Sequence, residues 1–269
     1  LTDSTSSLLD SNIDGLDIGR DSSNNRYIDG KISDFRIYDK ALSSTEVANL
    51  SNTGSIDGGQ VPSMVAQYDA TQISAFNGEL ITSWSDSIGS FEITGGSPEY
   101  QTNVQNGKPV VRYDGVDDTL DETDLSLSQP FSITVVAKYD SSELNNVLLS
   151  SEDPNERVFF STDQFPQEYR MFTDTGDIFG GSTNEDPHIF SLIFDGPSSK
   201  IRVDGVTVAT GNVGTQSFEG VKHAIRGDAG GNVYEGWIGE NVFYESNLET
   251  DGDLSTEEQR LSEKWGITI

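Results

Sequence analysis

Short runs of β-branched and aromatic residues recur along the chain, each broken off by Gly, Pro, Asn or Asp. The clearest are Lys108-Pro-Val-Val-Arg-Tyr113, Phe131-Ser-Ile-Thr-Val-Val-Ala137, Glu156-Arg-Val-Phe-Phe-Ser161, Ile189-Phe-Ser-Leu-Ile-Phe194 and Lys200-Ile-Arg-Val203. This pattern predicts strands, because such side chains fit a pleated, half-buried surface. Asp204-Gly205, set between Lys200–Val203 and Val206–Ala209, predicts a two-residue hairpin turn. Many short strands with turn signals predict two packed sheets or a barrel. Helical patterning is confined to two places, which start at Leu42 and Leu254. Ser43 with Glu46, and Ser255 with Glu258, have the S-x-x-E spacing of a capping box.

The two helical places share their surroundings. Gly30, Ile32, Asp34 and Tyr38 align without a gap with Gly236, Ile238, Glu240 and Tyr244, and each set leads into a Leu and a helix. The same domain ending therefore occurs twice. Residues 1–54 read as the C-terminal part of a first domain whose front half is missing. Residues 55–62 read as a polar, Gly-rich linker, and 63–269 as one complete domain. A few strands and one helix bury too little surface to stand alone, so a neighbouring chain or a second copy is a possible partner for 1–54.

Composition narrows the chemistry. The 269 residues include 45 Asp+Glu against 16 Lys+Arg, a formal charge of −29, and no Cys. Without Cys there is no disulfide scaffold, thiol nucleophile or Cys-ligated metal. The charge argues against a nucleic-acid partner, which needs a basic face. No apolar stretch is long enough to span a membrane. The chain opens at Leu1 without a signal peptide and reads as mature or partial. Acidity spread along the whole length, with seven lysines, fits a surface solvated in concentrated salt, as in a haloarchaeal setting. Disorder fits poorly with 13 Phe, 9 Tyr and 3 Trp.

Several segments, taken in order, resemble the concanavalin A-like (laminin-G-like) jelly-roll family. They are Val65-Ala-Gln-Tyr-Asp-Ala70, Ile81-Thr-Ser-Trp-Ser-Asp86, Val111-Arg-Tyr-Asp-Gly-Val-Asp-Asp118 and Gln129-Pro-Phe-Ser-Ile-Thr-Val-Val-Ala137, followed by His188–Phe194, Ile201-Arg-Val-Asp-Gly-Val206, Gly236-Trp-Ile-Gly-Glu240 and Glu263-Lys-Trp-Gly-Ile267. The resemblance implies an all-β jelly-roll β-sandwich with short helices near the domain C-terminus. Trp84, Phe131, Trp237 and Trp265 would fill or close it. It also implies a calcium ion at a loop rim, for which Asp114, Asp117 and Asp118 are the ligands in reach.

No catalytic residue stands out. The family's glucanases need Glu-x-Asp-x-Glu on one strand, so that two carboxyls share a groove. Glu249-Thr-Asp-Gly-Asp253 comes nearest but lies before the last helix, and Glu152-Asp-Pro-Asn-Glu156 has the wrong spacing. His188 and His223 lack a G-x-S-x-G partner and read as structural. Arg226-Gly-Asp228 reads as a turn, and Asn49-Leu-Ser51 is a glycosylation sequon. Aromatics flanked by turn residues are the candidate sugar platforms: Phe165, Tyr169, Phe179 and Phe218.

The expectation from these readings is a non-catalytic adhesion module, extracellular or on a cell or virion surface. It would bind host cell-envelope glycan or glycoprotein, and no enzymatic activity is expected. The alternatives are a purely structural module of a virion or surface layer, or a glycoside hydrolase of the glucanase type that uses Glu249 or Asp251.

Overall fold

The computed structural model describes residue 61 and residues 63–140, 146–151, 157–164, 167–224 and 233–269. The chain divides into two units between Asp57 and Gly58, and every described residue lies in the second. The truncated first domain, its helix, the Asn49 sequon, Arg226-Gly-Asp228 and Glu152–Glu156 fall outside the described residues.

Among the described residues, seventeen strands are formed. The first nine in the chain are β1 (Met64–Asp69), β2 (Glu79–Leu80), β3 (Ser83–Ser85), β4 (Glu92–Gly95), β5 (Glu99–Gln105), β6 (Lys108–Asp114), β7 (Leu120–Leu127), β8 (Phe131–Tyr139) and β9 (Val147–Ser150). The rest are β10 (Val158–Gln164), β11 (Gln167–Thr173), β12 (Gly176–Ser182), β13 (His188–Phe194), β14 (Ser199–Val203), β15 (Val206–Gly211), β16 (Phe218–His223) and β17 (Glu235–Tyr244). Two helices close the chain, α1 (Leu248–Asp251) and α2 (Leu254–Trp265). The first sheet runs β15-β14-β13-β8-β17-β6-β5-β2, with β1 on the far half of β17; the second runs β12-β11-β10-β9-β16-β7-β4-β3. All the pairings are antiparallel. The expected all-β sandwich is the one observed.

Alternation along β8 shows how the layers are built. Phe131, Ile133, Val135, Ala137 and Tyr139 enter the core between the sheets. Ser132, Thr134 and Val136 point the other way, toward the helices. Ser132 Oγ accepts from Leu248 N at 3.1 Å, and Thr134 Oγ1 donates to Glu257 Oε1 at 3.2 Å. Val136 packs with Ile189, Trp237, Leu261 and Trp265. The outer face of the first sheet is thus covered, and β8, β13 and β17 are buried on both sides. Gly239 permits this contact, since a Cβ there would stand 2.7 Å from the Trp265 ring.

Asp204 (φ 47°) and Gly205 (φ 75°) make the expected hairpin turn, with left-handed backbone at both central positions. The capping box at Ser255 and Glu258 does not form. The helix begins at Leu254 as expected, with Asp253 at its N-cap, so Ser255 lies inside it; Glu258 is buried against Arg202, whose Nε and guanidinium nitrogen both donate to it at 2.8 Å. A partner across the fold outcompetes the local cap because it satisfies both carboxylate oxygens in a buried place.

Candidate functional site

The outer face of the second sheet is not covered by either helix, and β10, β11 and β12 place an unusual set of side chains there. Their inward positions are core residues: Phe160, Tyr169, Met171 and Ile178. By alternation the outward positions are Phe159, Arg170, Phe172, Asp177 and Phe179. Register brings them together, since Phe159 stands opposite Phe172 and Arg170 opposite Phe179. The Phe159 and Phe172 rings stack with centroids 4.5 Å apart. The Arg170 guanidinium lies 4.8 Å from the Phe172 ring, 5.2 Å from Phe179 and 5.5 Å from Phe159. The Arg157 guanidinium lies 5.3 Å from the centre of the Phe172 ring.

Each arginine is also held by a carboxylate. Arg170 pairs with Asp177 at 2.9 Å, and Arg157 Nε donates to Asp174 Oδ1 at 2.7 Å. Such exposed pairs stabilise little, about 0–1 kcal/mol each. Their effect is to fix the planes of the guanidinium groups over the rings. Within this ladder Phe159 is buried at 4% exposure and Phe172 half-buried, and Phe179, 38% exposed at its end, is the ring open to solvent. Toward the sheet centre the outward row continues through Ser150, Lys222 and Asp121. An exposed ring flanked by a forked donor and a carboxylate acceptor offers stacking to an apolar ring face and hydrogen bonds to hydroxyls, with the inner rings backing it.

The four expected sugar platforms separate. Phe179 belongs to the ladder. Tyr169 does not lie in a loop: it is on β11, 1% exposed, and packs on Phe160, Phe190 and Tyr139. Phe218 is likewise 1% exposed, between Phe131 and Phe243. Both are corrected to core residues, because strand alternation turns them inward. Phe165 lies outside the described residues. Phe159, Phe172, Arg157 and Arg170 went unnoticed in the sequence. The signal was present in Tyr169-Arg-Met-Phe172, whose period of two puts a cation and a ring on the face opposite the core.

Asp114, Asp117 and Asp118 do come together, with one carboxylate oxygen from each within 4.8 Å of the others. Asp114 ends β6, and Asp117 and Asp118 lie in the turn that follows it. Asp118 Oδ2 accepts from Asp114 N at 3.0 Å, and Asp114 Oδ1 accepts from Val116 N at 2.8 Å. Burial, together with the neighbouring carboxylates, raises the Asp118 pKa, although main-chain N–H groups act against it. Three clustered hard-oxygen donors are a set that fits calcium.

No glucanase-type pair forms at Glu249, which sits on the short helix α1 and pairs with Lys200, while Asp251 closes the same helix. Glu122, whose pKa is also raised by burial, has its oxygens occupied by the N–H groups of Asp124 and Leu125. The histidines are structural. His188 lies between Asp204 and Asn184, at 2.6 and 2.8 Å, and His223 is buried in the core.

Residues 2–48 match the family model described as the concanavalin A-like lectin/glucanases superfamily. No curated protein matches the chain. Among solved structures, the Trypanosoma rangeli sialidase in complex with sialic acid is similar at a TM-score of 0.56 and 15% identity. That match covers 76% of this chain and 34% of the sialidase. Domain 4 of AbnA, a GH43 extracellular arabinanase from Geobacillus stearothermophilus, in complex with arabinotriose, is similar at a TM-score of 0.57 and 17% identity. Here 72% of this chain and 97% of the domain are covered. The described unit is a two-layer antiparallel β-sandwich, the fold it shares with these structures. At these identities the likeness establishes the fold, and the chain spans about a third of the sialidase's length.

These relatives correct two expectations. The similar structures come from glycoside hydrolases, a sialidase and an arabinanase, which overturns the reading as a non-catalytic adhesion module of a cell or virion surface. The expectation of no enzymatic role falls with it. The glucanase-type alternative is the one they favour, and the carbohydrate theme stands. Among the described residues, no helix is long and apolar enough to cross a membrane.

Proposed function

We propose that the chain serves an extracellular glycoside hydrolase, and that its sandwich holds neutral polysaccharide on the outer face of the second sheet. The observation that carries this reading is the Phe159–Phe172–Phe179 ladder with Arg170 fixed across it. The arabinanase domain, matched over nearly its whole length, supports the reading because it is in complex with arabinotriose. A charge of −29 disfavours an acidic glycan, and Arg157 and Arg170 are already partnered by Asp174 and Asp177.

Calorimetric titration of the chain with arabinotriose tests the proposal. Phe179→Ala and Arg170→Ala are each expected to weaken binding about tenfold, or roughly 1.4 kcal/mol. In the enzyme that contains this chain, Phe179→Ala should raise KM for arabinan and leave kcat unchanged, since the face binds ground and transition states alike. Wild-type affinity in both variants would remove the face from consideration.

The Asp114, Asp117 and Asp118 turn is proposed as a calcium site that steadies the loop rim. Calcium at a hundredfold excess over its Kd should stabilise the fold by about 2.7 kcal/mol. Thermal unfolding with calcium and with a chelator should therefore give different midpoints. Asp117→Asn should abolish the difference, and identical midpoints for the unaltered chain would exclude the site.

A further inference from the structure

The chain passes from the first sheet to the second between β2 and β3. There, at the edge of the sandwich, lies a cleft of about 340 Å³. This is within the size range of small-ligand sites. Gln72, Ser74, Glu79, Thr82, Ser83 and Leu80 are among its lining residues. Most of these offer hydroxyl, amide or carboxylate groups, and Glu79 is the one charged side chain in the lining.

The turn that links lining residues of the cleft, Ala75 to Glu79, carries an exposed ring that is not itself part of the lining. Phe76 is 71% exposed and lies between the lining residues Ala75 and Glu79, with Leu80 at 61% close by. The turn that carries it is firmly tied. Phe76 N donates to Glu79 Oε2 at 2.9 Å, and Glu79 N donates to Phe76 O at 3.0 Å. Gly78 N donates to Tyr100 O at 2.8 Å, and Asn77 Oδ1 accepts from Thr102 N at 2.8 Å. A turn closed by two hydrogen bonds of its own and tied to β5 by two more thus holds two large apolar side chains in water next to the cleft lining, where a mobile loop could have folded them away. An aromatic ring on a fixed turn, next in sequence to a cleft lined by both apolar and hydroxyl- or amide-bearing side chains, has the composition of a sugar site.

We infer that this cleft is a second carbohydrate subsite, which takes a short stretch of a neutral oligosaccharide with Phe76 as its stacking platform. Ser74, Thr82, Ser83 and Gln72 supply hydroxyl and amide partners, and Glu79 accepts from a sugar hydroxyl. The inference rests on the reading that the chain engages neutral polysaccharide. The two sites are far apart. β3 is at the opposite edge of the second sheet from β12, seven strand spacings away, or roughly 34 Å at about 4.8 Å per spacing. One polysaccharide chain that reached both would bind with the gain of an intramolecular second contact.

Titration with arabinotriose, too short to bridge the sites, separates the possibilities by stoichiometry. The unaltered chain should bind two molecules, and Phe76→Ala and Phe179→Ala one each. The double variant should bind none. Phe76 is exposed, so its replacement leaves the core intact, and an unchanged circular dichroism melt checks this. A single site lost in Phe179→Ala and untouched in Phe76→Ala overturns the inference and leaves the sheet-face reading standing. A single site lost only in Phe76→Ala supports the inference and overturns the sheet-face placement. Absence of any binding overturns both.

Discussion

Replacing Glu240 with alanine is expected to destabilise the fold by about 3 kcal/mol, near the lower end of the usual cost of breaking a buried ion pair. Glu240 is on β17, fully buried, and faces α2. Its Oε1 accepts from Arg260 at 2.7 Å and from Gln67 Nε2 at 2.6 Å. Its Oε2 accepts from Trp265 Nε1 at 2.9 Å and pairs with Lys264 at 2.7 Å. Burial alone would raise its pKa, but Arg260, Lys264 and the hydrogen bonds outweigh it and hold the carboxyl well below the usual range. Removal leaves two buried cations with one partner fewer. The cost stays at the lower end because Arg260 keeps Glu257 at 2.7 Å and Lys264 keeps Asp69 at 2.6 Å. Urea unfolding should show a lower midpoint with an unchanged m-value. The carboxyl's stabilisation is complete above the ordinary Glu pKa and is lost as pH falls through the depressed one, so Glu240→Gln should lose that acid-dependent component. A change under 1 kcal/mol would mean that packing of Trp265 and Leu261, not the charges, docks the helix.

What could be read from the sequence follows the range of the interactions. β8, β13, β14 and the Asp204-Gly205 turn were legible because period and turn chemistry are local. The Asp114, Asp117 and Asp118 cluster was legible for the same reason, since its members share one turn. The helix start at Leu254 was found, but its cap was not. Glu258 answers to Arg202, 56 residues away. The sugar platforms were the hardest. An aromatic between turn residues looks exposed, yet Tyr169 and Phe218 are on strands, where alternation and not neighbourhood sets direction. Phe159, Arg170, Phe172 and Phe179 become a ladder only through the registers of β10, β11 and β12. A one-residue slip would turn the ladder into the core.

The same physics assigns different work to the two sheets. The first has apolar and ion-paired residues on its outer side, and these are used up by α1 and α2. The outward side chains of the second are rings, cations, hydroxyls and carboxylates, which suit a hydroxylated ligand better than a packed helix. The proposed ligand surface on that face agrees with where the chain places its closing helices, which pack on the first sheet.

Mild acid, above the range where Glu240 and the other carboxylates titrate, should weaken the fold through His223. His223 ends β16 and is fully buried among Tyr68, Trp84 and Tyr113. Its Nε2 lies 3.0 Å from Asn241 Oδ1 and its Nδ1 3.2 Å from Tyr113 Oη. Asn241 Nδ2 donates to Thr134 O at 3.0 Å, which aims the amide oxygen at the ring. Nε2–H therefore donates to Asn241 and the bare Nδ1 accepts from Tyr113, as a neutral imidazole requires. Burial pushes the pKa down to about 4, only partly opposed by the bond to Asn241. The unfolded chain takes up this proton near its ordinary pKa, about 6.5. The stabilisation is accordingly complete above about 6.5 and lost as pH falls toward 4. Over that interval it amounts to about 3 kcal/mol at roughly 1.4 kcal/mol per pH unit. Carboxylates begin to titrate at the acid end, so the diagnostic window is pH 6.5 to 5. There the unaltered chain should lose about 2 kcal/mol of unfolding free energy, and His223→Gln, which has no proton to gain, should lose far less. An imidazole proton resonance of His223 that titrates with a midpoint near 6.5 in the folded chain would rule the mechanism out.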